Sequence, residues 1–148
     1  MERAKKKRKK ILFVCTGNTC RSPMAEALLK KKIKERKIKF VSVATAGLDV
    51  TETTMNPFSE EVLSEHDISM PRFRPRQLTK KMRENAFVII TMTQEQKRYF
   101  GDEEKVYSMR EVAGTEIPDP YGKGVEAYRE TYEKLLAATE RIVSSVWD

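Results

Sequence analysis

The sequence is poor in the residues that build metal sites and disulfide frameworks, and it lacks long apolar runs. Two cysteines and one histidine in 148 residues are too few for a Cys/His zinc site or a disulfide scaffold. The longest apolar runs, residues 11–15 and 86–90, contain only five residues each, which is too short to span a bilayer. We therefore expect no membrane span, and we expect no metal or organic cofactor.

Positive charge is concentrated at the N-terminus. Residues 1–10 hold seven of the 29 Lys and Arg residues against one acid, Glu2, which leaves 22 basic and 21 acidic residues elsewhere. The net charge of +7 is therefore mostly a property of a basic extension over residues 1–10. We expect this extension to be disordered, and we expect no nucleic-acid partner.

The apolar stretch after the basic extension indicates whether the chain carries a secretory signal peptide. Polar residues 16–19 interrupt it too early for a secretory signal peptide. We expect a cytoplasmic protein in which residues 11–148 form a single domain.

Short apolar runs alternate with segments of helical periodicity. Residues 11–15 are typical of a buried parallel strand. Further strands are predicted at 40–44, 87–91 and 105–107, and helices at 22–36, 59–65, 93–100 and 128–146. The last helix is the clearest, because Tyr128, Tyr132 and Leu135 begin a repeat at intervals of three or four. This alternation predicts an α/β fold with a Rossmann-like, doubly wound parallel sheet that binds ligands beyond its carboxyl edge.

The segment between the first strand and the first helix reads CTGNTCRS over residues 15–22. It places the Cys15 thiol at the carboxyl end of a strand, just before a helix N-terminus. Gly17 and Asn18 tolerate left-handed backbone geometry, which lets the loop curl with its N–H groups inward. Such a loop and the helix N-terminus together form a cradle for an anion.

Three side chains of this loop suggest phosphoryl transfer. Arg21 is a planar, bidentate donor suited to phosphate oxygens. The positive field of the loop favours the thiolate form of Cys15. The hydroxyl of Ser22 either caps the helix or hydrogen-bonds the thiolate. The loop therefore supplies both a nucleophile and a receptor for an oxyanion.

Residues CTGNTCRSPMAEALL resemble the phosphate-binding loop and first helix of the low-molecular-weight protein tyrosine phosphatase family. The run Pro118-Asp119-Pro120 resembles this family's Asp-Pro pair, and the similarity covers residues 11–147. It implies a four-stranded parallel sheet in the order 2-1-3-4, flanked by helices. It also implies that Cys15 attacks phosphorus, that Arg21 holds phosphate oxygens, and that Asp119 protonates the leaving group.

The resemblance implies roles for the remaining site residues. Asn18 would hold the loop's shape, Ser22 would orient Cys15, and Tyr121 would form one wall of the cleft. Backbone amides would bind phosphate, and the predicted substrate-binding residues are Thr16, Gly17, Asn18, Thr19, Cys20, Ser22 and Tyr121.

The chain departs from the family pattern at two places. It has Thr45 in a motif that often reads Ser-Ala-Gly, and it has Phe73 where a family histidine precedes Arg-x-Arg-Gln. These departures concern secondary contacts around the cleft. The single histidine, His66, is interpreted as structural.

Two substrate classes remain open. Thr16 directly after the nucleophile resembles the bacterial protein arginine phosphatases of this family, whereas its typical tyrosine phosphatases carry an aliphatic residue there. A hydroxyl suits a guanidinium leaving group, while an aliphatic side chain offers only apolar packing to a phenol. We favour protein phosphoarginine, with protein phosphotyrosine as the alternative. Phosphorylated proteins are the expected partners, and a monomer is expected.

Two other functions compete with a phosphatase. Arsenate reductases with a similar loop resemble a thiol relay that needs further cysteines downstream, and the chain has none after Cys20. We therefore exclude that reaction. A binding module that places the basic extension on nucleic acid or an anionic surface is the alternative outside enzymes.

Overall fold

The computed structural model describes residues 8–146. This part of the chain contains four strands, and one or two helices follow each of them. In chain order they are β1 (Lys9–Cys15), α1 (Arg21–Glu35), β2 (Val41–Gly47), α2 (Pro57–Glu65), α3 (Lys80–Asn85), β3 (Val88–Thr91), α4 (Gln94–Arg98), β4 (Val106–Ser108), α5 (Met109–Ala113) and α6 (Val125–Val146). Within residues 8–146, no helix combines the length and the apolar content needed to cross a membrane.

The four strands form one parallel sheet in the order β2-β1-β3-β4. The predicted fold class and strand order are therefore confirmed. The carboxyl ends of β1 and β2 meet where Cys15 pairs with Gly47. The site-bearing loop leaves the sheet at this edge, where open parallel sheets bind ligands.

Both faces of the sheet are covered, as a doubly wound fold requires. Alternate residues of β1 point to opposite faces, so that Ile11 and Phe13 join one core cluster and Leu12 and Val14 the other. The first cluster packs against α1, α2, α5 and α6. The second is smaller; it includes Phe100, two residues after α4, and Met82 of α3 packs against it. The final helix follows its predicted periodicity, since Tyr128, which lies in the first cluster, is 1% exposed.

The central strand begins earlier than predicted. Lys9 and Lys10 belong to β1, where they pair with Val41 and Ser42 of β2. They were assigned to the basic extension because lysine carries no apolar signal, yet main-chain pairing does not need an apolar side chain. The bounds of β2 also differ from the predicted 40–44, since this strand starts at Val41 and ends at Gly47. The expected disorder of residues 1–7 lies outside the described residues.

Two short helices were not predicted. The six-residue α3 buries none of its side chains, and its start is set by the Thr79 hydroxyl, which accepts from Met82 N. The five-residue α5 begins with a capping box between Ser108 and Glu111 and ends at Gly114, whose φ is 81°. Both helices are too short for an apolar periodicity to emerge, so their caps are the main local signal.

Gly47 is needed at the end of β2 because a side chain would not fit there. A Cβ at this position would lie 2.8 Å from the carbonyl oxygen of Thr16 and 2.7 Å from Val50 Cγ2. Both distances are shorter than real Cβ contacts, and one neighbour is backbone of the loop that follows Cys15. The close approach of β2 to this loop therefore depends on glycine.

We predict that Gly47→Ala lowers the free energy of unfolding by about 1–3 kcal/mol, because the added methyl forces the loop backbone to shift. Urea denaturation measures this change. Gly17→Ala is the matched control, since a Cβ there would meet Thr19 Oγ1 at an ordinary 3.6 Å. Its stability should change by less than about 1 kcal/mol. Equal stability of the two variants would contradict the packing argument.

Candidate active site

Cys15 ends β1, and its side chain is buried at the floor of the loop over residues 16–20. The helix that follows starts without a side-chain cap: its N-cap residue is Cys20, and its first turn contains no acidic residue. Of the two roles expected for the Ser22 hydroxyl, helix capping does not occur, because the helix begins one residue before Ser22; the contact with the Cys15 sulfur does occur. Uncapped N–H groups at a helix N-terminus attract an anion.

The loop turns its carbonyl groups outward. Three of them accept hydrogen bonds from outside the loop: Thr16 O from Asp49 N at 2.9 Å, Thr19 O from Asn56 N at 2.9 Å, and Cys20 O from Ser59 Oγ at 3.2 Å. The carbonyl group of Cys15, just before the loop, accepts from Leu48 N at 3.0 Å. A loop whose carbonyl groups are engaged by its surroundings leaves its N–H groups free to face a bound anion.

Asn18 fixes the turn of the loop. Its φ of 58° is in the left-handed region, which both Gly17 and Asn18 tolerate but only Asn18 adopts. Its side chain is fully buried, and its Oδ1 accepts from Arg76 N at 2.8 Å. Because a main-chain N–H can only donate, the amide orientation is settled, and Nδ2 donates to Ser22 Oγ at 2.7 Å.

The Ser22 hydroxyl links the Asn18 side chain to the Cys15 sulfur. Ser22 Oγ accepts from Asn18 and lies 2.9 Å from Cys15 Sγ. The hydroxyl proton is therefore available to the sulfur. Asn18 N donates to the same sulfur at 3.3 Å. Two donors aimed at Cys15 Sγ suit a thiolate better than a thiol.

Arg21 is a buried cation with few protein partners. Its side chain is 6% exposed, and Nη1 donates to Ile117 O at 3.0 Å. Its Nη2 lies 3.8 Å from Asp119 Oδ2, which is longer than a hydrogen bond. No other acceptor among residues 8–146 engages this guanidinium, so most of its N–H groups remain for an anionic ligand.

Asp119 reaches the cleft from the segment between α5 and α6. Its side chain is 53% exposed, and its Oδ1 accepts from Tyr121 N at 3.0 Å, which closes a turn. The Tyr121 ring is exposed, and its hydroxyl lies 3.5 Å from Glu52 Oε1. Asp119 and Tyr121 thus stand at the mouth of the cleft, facing the loop of Cys15.

The cleft has a volume of about 270 Å³. It brings together most of the predicted site residues, and those that line it are Cys15, Thr16, Gly17, Thr19, Cys20, Arg21, Asp119 and Tyr121. Asn18 and Ser22, which were grouped with the substrate-binding residues, do not line it. They lie buried beneath the loop, where they contact Cys15.

Four residues in or near the cleft carry no motif in the sequence and were not predicted. Asp49, Thr51 and Glu52 follow β2 and line the cleft; the meeting of neighbouring strand ends at one sheet edge was the signal that pointed to them. Gln96 lies outside the cleft, but its Nε2 donates to Thr16 Oγ1 at 3.1 Å. The spacing Thr93-x-x-Gln96 indicates a helix cap, and nothing in it reveals this second contact.

The two departures from the family pattern do not disturb the loop. Phe73 is half-buried and packs against the main core cluster, so it makes no polar contact of the kind a histidine offers. Asn18 is held instead by the main chain of Arg76. Thr45 donates to the buried Glu26 at 2.9 Å. His66 stacks on Tyr132 with ring centroids 4.0 Å apart, as its structural interpretation requires.

A larger cavity of about 720 Å³ lies between α1 and residues 67–76. Its basic lining residues are Lys30, Lys31, Lys34, Arg72, Arg74 and Arg76. It contains no thiol, and none of the predicted site residues lines it. The smaller cleft over Cys15 is therefore the candidate active site.

Cys20 differs chemically from Cys15 although both are free thiols that line the cleft. Burial raises the pKa of the Cys20 thiol, and weak contacts at 3.6 Å with Tyr128 Oη and Thr19 Oγ1 only partly oppose this effect. Burial therefore favours the protonated form of the Cys20 thiol.

A four-stranded parallel sheet with a CTGNTCRS loop on its central strand defines a small phosphatase that works through a cysteine. The chain belongs to the low molecular weight phosphotyrosine protein phosphatase family, whose sequence profile matches residues 10–147.

Relatives of both substrate classes resemble the chain. It is 36% identical over 134 residues to the protein-arginine-phosphatase of Bacillus subtilis, covering 84% of this chain and 88% of the relative. It is also 36% identical over 134 residues to the low molecular weight protein-tyrosine-phosphatase PtpB of Staphylococcus haemolyticus, covering 86% and 92%. Because the identity is the same for both relatives, it does not distinguish an arginine phosphatase from a tyrosine phosphatase.

Solved structures of arginine phosphatases are similar in fold. A YwlE mutant from Bacillus subtilis superposes with a TM-score of 0.87 at 30% identity, covering 95% of this chain and 99% of that one. A YwlE arginine phosphatase mutant with serine in place of a cysteine, and with its active-site serine phosphorylated, gives 0.85 at 31% identity, covering 93% and 95%. A phosphorylated residue in that site fits covalent catalysis.

We predict that hydrogen peroxide links Cys15 to Cys20 reversibly. Peroxide oxidises the Cys15 thiolate to a sulfenic acid, and the Cys20 thiol then condenses with it, forming a disulfide and releasing water. Mass spectrometry should find a Cys15–Cys20 linkage, and dithiothreitol should restore activity. In Cys20→Ala the same treatment should lead to irreversible acids at Cys15. Irreversible acids in the unsubstituted protein, with no linkage, would show that Cys20 only fills space.

Proposed function

We propose that this chain hydrolyses phosphoarginine in proteins through a phosphocysteine intermediate. The Cys15 sulfur attacks phosphorus as the phosphorus–nitrogen bond breaks, while Arg21 and the amides of residues 16–21 hold the equatorial oxygens. Asp119 gives its proton to the departing guanidine. It then takes a proton from the water that attacks the phosphocysteine, which releases phosphate and restores the thiolate.

The observation that carries the choice of phosphoarginine is the polar, anionic lining around the nucleophile. Thr16 places a hydroxyl beside Cys15, and the carboxylates of Asp49 and Glu52 line the same cleft. A guanidinium group is a planar cation with several N–H donors, so it is suited to these oxygens. A neutral phenol gains nothing from the carboxylates. The similarity to named protein-arginine-phosphatases supports the same choice.

Phosphotyrosine is the second candidate substrate, and one observation favours it. The Tyr121 ring is 58% exposed at the mouth of the cleft, where it offers an apolar face to an aromatic substrate side chain. All catalytic groups would be shared between the two reactions. The difference would lie only in contacts with the leaving group.

We also propose that residues 11–148 act as a single domain in the cytoplasm, as a monomer, preceded by a basic extension. Two free cysteines suit a reducing compartment. The family profile, which matches residues 10–147, supports one domain.

We predict that Asp119→Ala impairs turnover most for substrates with poor leaving groups, because proton donation matters less when departure is easy. Turnover of phenyl phosphate should fall by about 10²-fold or more, and turnover of p-nitrophenyl phosphate should fall less. Steady-state kinetics with both substrates measures the contrast. Asp119→Asn, which preserves size, should show the same pattern. An equal loss for both substrates would contradict the role of Asp119 as an acid.

We predict that Thr16→Ile shifts selectivity from phosphoarginine toward phosphotyrosine. The change preserves the β-branch, removes the hydroxyl and adds apolar surface. One such contact supplies about 1–3 kcal/mol, or tenfold to a few hundredfold in the ratio of kcat/KM values. Matched phosphoarginine and phosphotyrosine peptides provide the measurement. A preference of the unsubstituted enzyme for phosphotyrosine, or an unchanged ratio in the variant, would transfer the assignment to tyrosine.

A further inference from the structure

The side chain of Gln96 lies outside the cleft, and both its amide oxygen and its amide nitrogen form hydrogen bonds. It is buried, with 6% of its surface exposed, and it occupies the third position of α4 in a capping box with Thr93. Its Oε1 accepts from Met92 N at 2.9 Å and from Thr93 N at 3.2 Å. A cap needs only one of these bonds, so the side chain is held more firmly than capping requires.

The two bonds to Oε1 determine the direction of the third. Main-chain N–H groups can only donate, so the oxygen of the Gln96 amide must face Met92 and Thr93. The nitrogen therefore faces Thr16, and Nε2 donates to Thr16 Oγ1 at 3.1 Å. A rotated amide would break both main-chain bonds at once. Thr16 is thus paired with a fixed donor.

This fixed donor selects one side-chain conformation of Thr16. Rotation about χ1 would exchange the hydroxyl with the methyl group or the hydrogen on Cβ. Because Thr16 is exposed in the cleft, packing alone does not choose among these conformations. The bond from Gln96 holds the hydroxyl and uses one of its two lone pairs, which leaves the other to accept from a leaving group.

We propose that Gln96 is a positioning residue for selectivity: it holds the Thr16 hydroxyl in the orientation that favours a guanidinium over a phenol leaving group. This inference rests on the proposed phosphoarginine activity. Gln96 does not itself line the cleft, and its hydrogen bond to Thr16 is its contact with a residue that does, so it acts through Thr16. The structure therefore separates Gln96 from the chemical steps, which depend on Cys15, Arg21 and Asp119.

The test compares two substitutions by the ratio of kcat/KM for matched phosphoarginine and phosphotyrosine peptides. Gln96→Met removes both the donor and the acceptor, and we expect the ratio to fall by about threefold to tenfold, the worth of one hydrogen bond. Gln96→Glu preserves the acceptor for Met92 and Thr93, and its second oxygen accepts from the Thr16 hydroxyl. Thr16 remains held, so we expect this variant to retain or raise the ratio.

Gln94→Met is the matched control, because it makes the same change on the same helix. The Gln94 side chain makes no hydrogen bond with the described residues, and its main-chain N–H donates to Glu116. We expect its ratio to equal that of the unsubstituted enzyme. Thermal unfolding of every variant ensures that the assays compare folded proteins.

A double-mutant cycle with Thr16→Val decides whether Gln96 acts through Thr16. Valine preserves the shape of threonine and removes the hydroxyl, so Gln96→Met should then leave the ratio unchanged. A fall of the same size in the valine background would overturn the inference. So would an unchanged ratio after Gln96→Met alone, or an equal fall in Gln96→Glu. The ratio of the unsubstituted enzyme tests the proposed function separately, because these outcomes concern only changes in the ratio.

Discussion

The active-site loop depends on the buried side chain of Asn18. Its amide joins the main chain of Arg76 to Ser22, and Ser22 in turn contacts Cys15 Sγ. The bond from Arg76 N fixes the orientation of the Asn18 amide, so its nitrogen faces Ser22, and the Ser22 hydroxyl keeps its proton available to the sulfur. The loop is thereby fixed to residues 73–78 as well as to β1 and α1.

The fold was largely predictable because its signals are local and apolar. The buried run over residues 11–15 and the periodicity of α6 identify the central strand and the longest helix. Where the signal is not apolar, prediction failed: Lys9 and Lys10 extend β1 through main-chain bonds to β2, and α3 and α5 start at polar caps. Strand order came from the family resemblance, since no local pattern encodes which strands are neighbours.

The site was predictable to the extent that it lies in one continuous loop. Cys15, Arg21 and the residues between them occur in a single motif, and Asp119 was found through a second motif of the same family. Asp49, Glu52 and Gln96 carry no motif. Tertiary structure alone brings them to the cleft or to Thr16, from segments about 30 to 80 positions away. Such residues surround the position of the leaving group. Substrate selectivity is therefore harder to predict from the sequence than the catalytic residues are.

The burial of Cys15 limits how long a substrate side chain must be. Only 2% of its surface is exposed, and access runs through a cleft whose mouth is flanked by Asp119 and Tyr121. A phosphorylated arginine or tyrosine carries its phosphorus far from the main chain and can extend down to the sulfur. Phosphoserine has a single carbon between its main chain and its ester oxygen, so its backbone would have to enter the cleft. The burial of the thiol therefore favours long phosphorylated side chains over short ones.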